Sequence, residues 1–309
     1  MKKIIIGSRG SLLAQRQAHI VAQSIRLNNP DIDICIKTIR TSGDVLSQND
    51  LAQSSESIKG LFVKEIEEAL LKQEIDLSVH SLKDLPGELP KGLCLAAIPE
   101  RQDPRDVLVT SSSKTSFLNL PTGARLGTSS PRRTVQLKLL REDLVICPIR
   151  GNIDTRIEKI ETQKLDGILL AAAGLKRLNL EKKISYSFSI QKIIPAVGQG
   201  ALGIEVRSDD ESTRQIVEPL NHKPTQLCTL AERRFLKRIG GDCKLPMGAH
   251  AYTHNNKGFF SAFIASSNPL KVIRKTSQGN PQNLENLALE TADYLLAHGG
   301  EKILEIWNK

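Results

Sequence analysis

The residues most able to do chemistry lie in a few short stretches. The first is HSLKDLP (His80 to Pro86), which sets the Asp84 carboxylate beside the Lys83 ammonium just after an apolar, strand-like segment. Residues at that place face the ligand crevice of an open α/β sheet. A carboxylate held among cations stays ionised. It then suits the stabilising of a developing cation, or the holding of N–H donors, and not the work of a neutral acid. The bland alternative is an exposed loop acid or a helix cap. The second stretch, GTSSPRR (Gly127 to Arg133), follows a strand and opens a helix. Free N–H groups and the positive helix end favour an anion there. Thr128, Ser129 and Ser130 add hydroxyls, and Arg132 and Arg133 add two-pronged cations. An ordinary serine cap explains the serines but not the paired arginines. Arg150-Gly151-Asn152 with Arg156 repeats the arrangement, and Arg9 with Ser11 does so after the first strand. Three such junctions predict one crevice lined for several carboxylates or phosphates.

Cys243 stands in GGDCKLPMG, where Gly240 and Gly241 allow an exposing turn and Lys244 favours a thiolate. A packed inert thiol and a nucleophilic or attachment cysteine both remain open on this pattern. Of the other cysteines, Cys35, Cys94 and Cys147 lie in apolar strand-like runs and read as small core residues, and Cys228 lies in a helical segment. Five cysteines without a C-x-x-C pair argue against a disulfide framework or a zinc cage. No histidine has metal-ligand spacing, and His80 reads as structural. Neither a phosphate-binding G-x-x-x-x-G-K-[ST] nor a G-x-G-x-x-G after the first strand occurs, so nucleotide cofactors are not expected.

Charge sharpens the choice of ligand. The chain carries 43 Lys and Arg against 34 Asp and Glu, a net +9. Residues 125–177 hold eleven basic and six acidic residues, hence +5 of that total, and seven of the eleven are arginine. Arginine is the residue for gripping carboxylate or phosphate with two prongs. Aromatics at 4% leave little for stacking on single-stranded nucleic acid. No apolar run approaches the roughly 18 residues of a spanning helix. After Lys2-Lys3 only Ile4 to Ile6 precede Gly7-Ser8-Arg9, a strand and not a signal-peptide core. A soluble, cytoplasmic protein without membrane or nucleic-acid partners is expected.

These residues must be positioned by alternating strands and helices. KIIIG predicts a buried strand, Ser11 to Arg26 a helix, DIDICIKTI a strand, Leu61 to Lys72 a helix and Asp76 to His80 a strand. The pattern restarts with ARLGTSS, a helix from Pro131, LVICPI, a helix over Ile153 to Thr162, and GILLAAAG. Such βα units imply two α/β domains with parallel or mixed sheets. They join near ERQDPRD, and GQGALGIEV returns as a strand. After Pro224 come a helix over Leu227 to Ile239, three strand-like runs and a helix over Asn283 to Leu296, a small α+β domain. The predicted boundaries are 1–100 plus about 197–220, 101–196, and 221–309. Ser47 to Gly60, polar and aperiodic, reads as a mobile surface loop.

HSLKDLP, IPERQDPRD, GTSSPRR, RGNIDTR, AAAGLKRL, PAVGQGALGIE and GGDCKLPMG, in this order and register, closely resemble the porphobilinogen deaminase family (hydroxymethylbilane synthases). The resemblance spans essentially the whole chain. It implies two periplasmic-binding-protein-like α/β domains around a cleft and a third domain carrying a dipyrromethane cofactor, bound as a thioether to the cysteine matching Cys243. It implies a heme-pathway transferase that condenses four porphobilinogen units head to tail with loss of ammonia and then releases the linear tetrapyrrole by hydrolysis. Asp84 matches the catalytic aspartate. Lys83, Thr128, Ser129, Ser130, Arg132 and Arg133 match contacts to the cofactor. Arg9, Ser11, Lys59, Arg150, Arg156 and Arg177 match contacts to the substrate. The product would pass to uroporphyrinogen-III synthase, and the enzyme would be a monomer without metal. Two departures stand out. Asp242 replaces a small residue beside the attachment cysteine, where its charge disfavours the thiolate. The loop before Lys59 lacks the glycine pair usual in the family. The competing reading is a non-enzymatic small-anion-binding protein, which explains the arginines but not the cysteine.

Overall fold

The computed structural model describes residues 3–42, 60–113, 115–240, 245–267 and 270–307. The predicted loop 47–60 falls outside them except for its last residue, as do Lys59, Asp242 and Cys243. Along the chain, β1 (Lys3–Arg9), α1 (Leu12–Asn28), β2 (Asp33–Ile39), α2 (Gly60–Leu71), β3 (Leu77–Ser81) and β4 (Leu93–Ala97) come first. Next are β5 (Asp106–Val109), β6 (Arg125–Gly127), α3 (Pro131–Leu140), β7 (Val145–Cys147), α4 (Ile153–Thr162), β8 (Gly167–Ala171), α5 (Ala172–Arg177) and β9 (Ile184–Ser187). Then come β10 (Leu202–Arg207), α6 (Glu211–Val217), α7 (Lys223–Ile239), β11 (Met247–His254), β12 (Lys257–Ser267), β13 (Leu270–Gly279), α8 (Leu284–Leu295) and α9 (Glu301–Trp307).

Two compact units emerge, Met1–Arg101 with Ala201–Leu227, and Gln102–Gly200 with Cys228–Lys309. The first holds a five-stranded sheet in the order β2-β1-β3-β10-β4. β1 runs parallel to β2 and β3, whereas β10 is antiparallel to both of its neighbours. Helix α1 buries Gln17, Ala18, Val21, Ala22 and Ile25, spaced by three and four residues. That stripe packs on Ile4, Ile6, Leu77, Val79, Ile204 and Val206 from one face of the sheet. The other face lies under α2. There Val63 meets Leu82, Leu85 and Ile98, while Ile66, Ala69 and Leu70 meet Ile75 and Leu93. Strand alternation therefore turns Ser78, His80 and Glu205 toward α2.

The second unit holds a five-stranded sheet, β7-β6-β8-β5-β9, and a three-stranded antiparallel sheet, β11-β12-β13. In the larger sheet β7, β6 and β8 are parallel, and β5 is antiparallel to β8 and β9. Leu108, Phe117, Leu126, Leu137, Leu169 and Phe188 fill one face. Val107, Val109, Ile149, Ile168 and Leu175 fill the other. β11 and β12 join through Asn255-Asn256, both at positive φ (47° and 57°). That backbone matches the twist of a two-residue hairpin, and asparagine tolerates it. The small sheet is covered by α8, whose Leu284, Ala288, Ala292 and Leu295 are buried. Val135 of α3 packs with Phe263 and Ala265 of β12, joining the two sheets. The chain is thus two α/β sheet domains plus a smaller C-terminal α+β domain. Among the described residues, no helix is long and apolar enough to cross a membrane.

One sequence expectation needs correction. Of the three cysteines read as core residues, Cys35 is exposed, whereas Cys94 and Cys147 are half-buried and only pack against the cores from their rim. All three lie on the edge strands β2, β4 and β7, where apolar alternation outruns the helix cover.

Candidate active site

In the first unit the site is built where β1 and β3 end. Ser11 caps α1, its Oγ accepting the Ala14 N–H at 3.3 Å. The Arg9 carbonyl is held by Gln15 Nε2 at 2.6 Å. After Ser81 the chain makes one 3₁₀ turn, Leu82–Asp84. Leu82 and Leu85 are both 1% exposed and sink into the apolar cluster under α2. The Leu82 N–H donates to the Ala201 carbonyl at 3.0 Å. Burying the two leucines leaves Lys83 and Asp84 half-exposed at the tip. Gln17 Nε2 donates to Ser81 Oγ at 2.8 Å and ties α1 to this end of β3. A cavity of about 60 Å³ results, lined by Arg9, Ser11, Gln17, His80, Ser81 and Asp84 over Leu13, Val63, Ile66 and Val79. The structure therefore brings Arg9, Ser11 and Asp84 together, with Lys83 adjacent.

In the second unit the parallel strands β6, β7 and β8 end in the predicted turns. Thr128 is buried, its N–H donating to the Cys147 carbonyl at 2.9 Å and its Oγ1 accepting the Ser130 N–H at 3.2 Å. Ser129 is exposed, and its Oγ donates to the Ile149 carbonyl at 2.8 Å. Ser130 occupies the cap position of α3, but its side chain makes no capping bond. Lys159 Nζ holds the Arg150 carbonyl at 2.9 Å, and Arg156 Nε donates to the Gly151 carbonyl at 2.7 Å. Arg150 is half-exposed, and its guanidinium makes no hydrogen bond or ion pair among the described residues. Arg177 Nη2 donates to the Gly200 carbonyl at 2.7 Å, and burial lowers its guanidinium to about 10.

Arg132 and Arg133 differ from the pair of open forks expected from the sequence. Both are buried and turned onto Asp106, which is fully buried. Arg132 donates through Nη1 at 2.6 Å and Nη2 at 3.1 Å, and Arg133 through Nε at 2.8 Å. Remaining donors reach the Ile194 and Leu169 carbonyls. Gln199 Nε2 adds a bond to Asp106 at 3.2 Å. Burial alone would raise the Asp106 carboxyl, but the two guanidiniums outweigh it and hold the group well below the usual carboxylate range. Two arginines against one aspartate leave the cluster one positive charge, so it remains an electropositive floor and not a pair of grasping arms. The neighbouring turn is fixed from the small domain. Glu232 of α7 accepts the Gly198 N–H at 2.7 Å and the Ala251 N–H at 2.8 Å.

Sequence reasoning passed over Asp106 and Gln199, and Glu67 and Glu205 as well. Asp106 closes the DPRD run that reads as an interdomain joint. Its signal was an acid opening the apolar strand DVLV, where nothing apolar could neutralise it.

Taken together, the chain is an α/β protein whose parallel strands end in arginine- and hydroxyl-bearing turns, an architecture suited to ligands with several carboxylates. Residues 4–215 match the family model "Porphobilinogen deaminase, dipyromethane cofactor binding domain", and residues 226–297 match "Porphobilinogen deaminase, C-terminal domain". The porphobilinogen deaminase of Chlorobium luteolum is 44% identical over 307 residues, covering 98% of this chain and 97% of the relative. That of Syntrophomonas wolfei is 45% identical over 304 residues, covering 98% of each. Among solved structures, the substrate binding domain of a putative molybdenum ABC transporter from Clostridium difficile aligns with 73% of this chain and 95% of its own, at 13% identity and a TM-score of 0.44. The chain belongs to the porphobilinogen deaminase family.

Proposed function

We propose that this chain condenses four porphobilinogen units head to tail, losing one ammonia each time, and then releases the linear hydroxymethylbilane by hydrolysis. The observation that carries the reading is the convergence of Arg9, Ser11 and Asp84 on one cavity at the strand ends. It is supported by the family match over residues 4–215 and 226–297. Each porphobilinogen brings an acetate and a propionate, so the growing chain needs many cationic forks. Arg9, Ser11, Lys59, Arg150, Arg156 and Arg177 are the groups we assign to those carboxylates. Asp84, fixed by the buried Leu82 and Leu85, stabilises the positive charge that builds on the pyrrole as ammonia leaves. Such a preorganised electrostatic contribution is often the largest in catalysis.

The donor chemistry of this chain fits the family's dipyrromethane. Its carboxylates call for a fixed cationic floor with hydroxyl donors, and the Arg132–Arg133–Asp106 cluster beside Thr128, Ser129 and Ser130 has that character. When bound, dipyrromethane supplies the primer for the condensation. Cys243 is the residue we assign as its thioether anchor, with Lys83 as a further contact. The domains we propose are 1–100 with about 197–220, 101–196, and 221–309. With this function we propose a cytoplasmic monomer whose product is consumed by uroporphyrinogen-III synthase.

The test is to incubate the purified chain with porphobilinogen and follow its disappearance, the ammonia released, and the porphyrin formed when the product cyclises and is oxidised. Intact mass and peptide mapping accompany it. One ammonia per porphobilinogen and a dipyrromethane adduct on the Cys243 peptide are expected. Active protein with all five thiols alkylatable would overturn the cofactor assignment. An unmodified chain that binds small anions but consumes no porphobilinogen would restore the binding-protein reading.

A further inference from the structure

Under α2 the sheet's apolar face is interrupted by three polar residues, and a fourth faces them from the helix. Ser78 and Glu205 are direct partners in the β3–β10 register, and both are 0% exposed. His80 lies two residues beyond Ser78 on the same face. Its Nε2 sits 2.7 Å from Ser78 Oγ and 3.1 Å from Glu205 Oε2, and Ser78 Oγ donates to that same oxygen at 3.2 Å. From above, Glu67 joins them. It occupies an apolar position in the run Val63, Ile66, Glu67, Leu70, which α2 turns toward the sheet.

Two oxygens in this group, Glu67 Oε1 and Glu205 Oε1, are buried and make no hydrogen bond. An orphaned carboxylate oxygen in an apolar setting is costly, and two neighbouring ones facing like charge are costlier. A single shared proton removes both penalties. The other groups on this face do not supply it. β1 contributes Ile5 and Gly7, and β4 contributes Leu93 and Leu95. Arg207, at the far end of β10, is spent on the Leu70 and Ile75 carbonyls and on Asp210. On α2 itself Lys64 and Glu68 are exposed, and Glu65 is bound to Ser42. Arg9 lines the cavity beside Ser11 and Asp84. Burial first, then the neighbouring Glu205, raises the Glu67 carboxyl to about 7 against a smaller opposing pull from His80.

We propose that Glu67, Glu205 and His80 form a proton-exchanging network behind Asp84, in which the two carboxyl groups hold one proton and His80 connects it to the reaction cavity. The connection is structural: His80, bonded to Glu205, lines the same cavity as Asp84, Arg9 and Ser11. Its use rests on the function proposed above. Each condensation forms a carbon–carbon bond at a pyrrole carbon that sheds its proton. It also breaks the carbon–nitrogen bond of an aminomethyl group that arrives as an ammonium and departs as ammonia. The shed proton and the ammonia together make one ammonium ion, so a network that accepts a proton and hands it back closes the cycle without net change. Glu67 and Glu205 act through His80 and are positioning residues.

Two measurements on the full chain test this. Infrared titration of the wild type between pH 5 and 9 reads the network without turnover. A protonated-carboxyl stretch should grow as pH falls through about 7, and Glu67→Gln should lack it. In the second, kcat of Glu67→Gln should fall about tenfold, short of the roughly 100-fold or more of a direct acid–base group, with KM within about twofold. Its kcat profile should lose the ionisation near neutrality, and Glu67→Asp should restore it. A wild-type spectrum with no carboxyl band titrating in this range would overturn the network, and this holds even if Glu67→Gln fails to fold. A Glu67→Gln profile superimposable on that of the wild type would overturn it equally. A wild type that consumes no porphobilinogen would sink the proposed function, while the infrared titration would still decide the network.

Discussion

Replacing Asp106 with Asn keeps the side chain's shape and removes its charge. The carboxylate is fully buried and accepts bonds from Arg132 at 2.6 and 3.1 Å and from Arg133 at 2.8 Å. Charged hydrogen bonds contribute about 1.5–3 kcal/mol each. Summing three would overstate the loss, because they share one carboxylate and do not add. Removing one partner of a buried ion pair costs about 3–5 kcal/mol, chiefly by stranding the other charge. Here two guanidiniums are stranded, which puts the expected loss at the upper end, about 4–5 kcal/mol. Urea unfolding followed by circular dichroism should show a midpoint lower by roughly 2 M, taking a slope of about 2 kcal/mol per molar. Acid gives a second, independent check. The folded carboxyl titrates well below its unfolded value, so its stabilisation is complete above about pH 5 and is lost as pH falls toward the folded value. The gap between wild type and Asp106→Asn should therefore be full at pH 7 and narrow below about pH 4. A gap under about 1 kcal/mol at pH 7, or one that widens in acid, would refute the reasoning.

Asp84→Asn should lower turnover by about 100- to 1,000-fold with an unchanged melting temperature, because the leucines and not the carboxylate anchor its turn; near-normal turnover would return Asp84 to an ordinary loop acid. Arg150→Leu should fold like the wild type, its guanidinium having no partner among the described residues. It should weaken elongation by about tenfold to a hundredfold, seen by mass spectrometry as a truncated ladder of pyrrole adducts, and an unaltered ladder would exclude it from the site. Gly200→Ala forces a side chain onto a backbone at φ +91°, with its Cβ 2.3 Å from the Gln102 carbonyl oxygen. A cost above about 1–3 kcal/mol is expected, and a melting temperature within about 2 °C of the wild type would contradict it.

The helices that position the site were readable because their apolar residues recur at three and four. Ile153 to Thr162 is helical over the residues the sequence predicts, and the strands alternate as Leu77, Val79 and Ile204 require. Arg9 and Asp84 were recognisable as candidates one at a time. Their meeting depends on β1 and β3 being parallel neighbours, which no local pattern encodes. What stayed hidden was pairing across long separations. The partner of Arg132 and Arg133 lies 26 and 27 residues away, at the start of an unremarkable apolar strand. Glu67 shares the buried stripe of α2 with Val63, Ile66 and Leu70, but its polar partners Ser78, His80 and Glu205 lie on strands that only the fold places beneath it. The edge-strand cysteines mislead for the converse reason, since apolar neighbours in sequence do not ensure a covering layer in space.

The place of β10 bears on how the chain is made. Its partners β3 and β4 lie more than a hundred residues earlier, and it pairs with both. During synthesis, residues up to Ala97 therefore emerge with a gap in their sheet that only Leu202–Arg207 can fill. At about 5–20 residues per second, the wait is roughly 5–20 s. Throughout it β3 and β4 present unpaired edges, the kind that recruit other chains. Glu205 arrives with the same strand, so the polar group under α2 and the continuous sheet come into being together. A nascent chain stalled before residue 202 should need chaperone protection that one stalled after α6 does not.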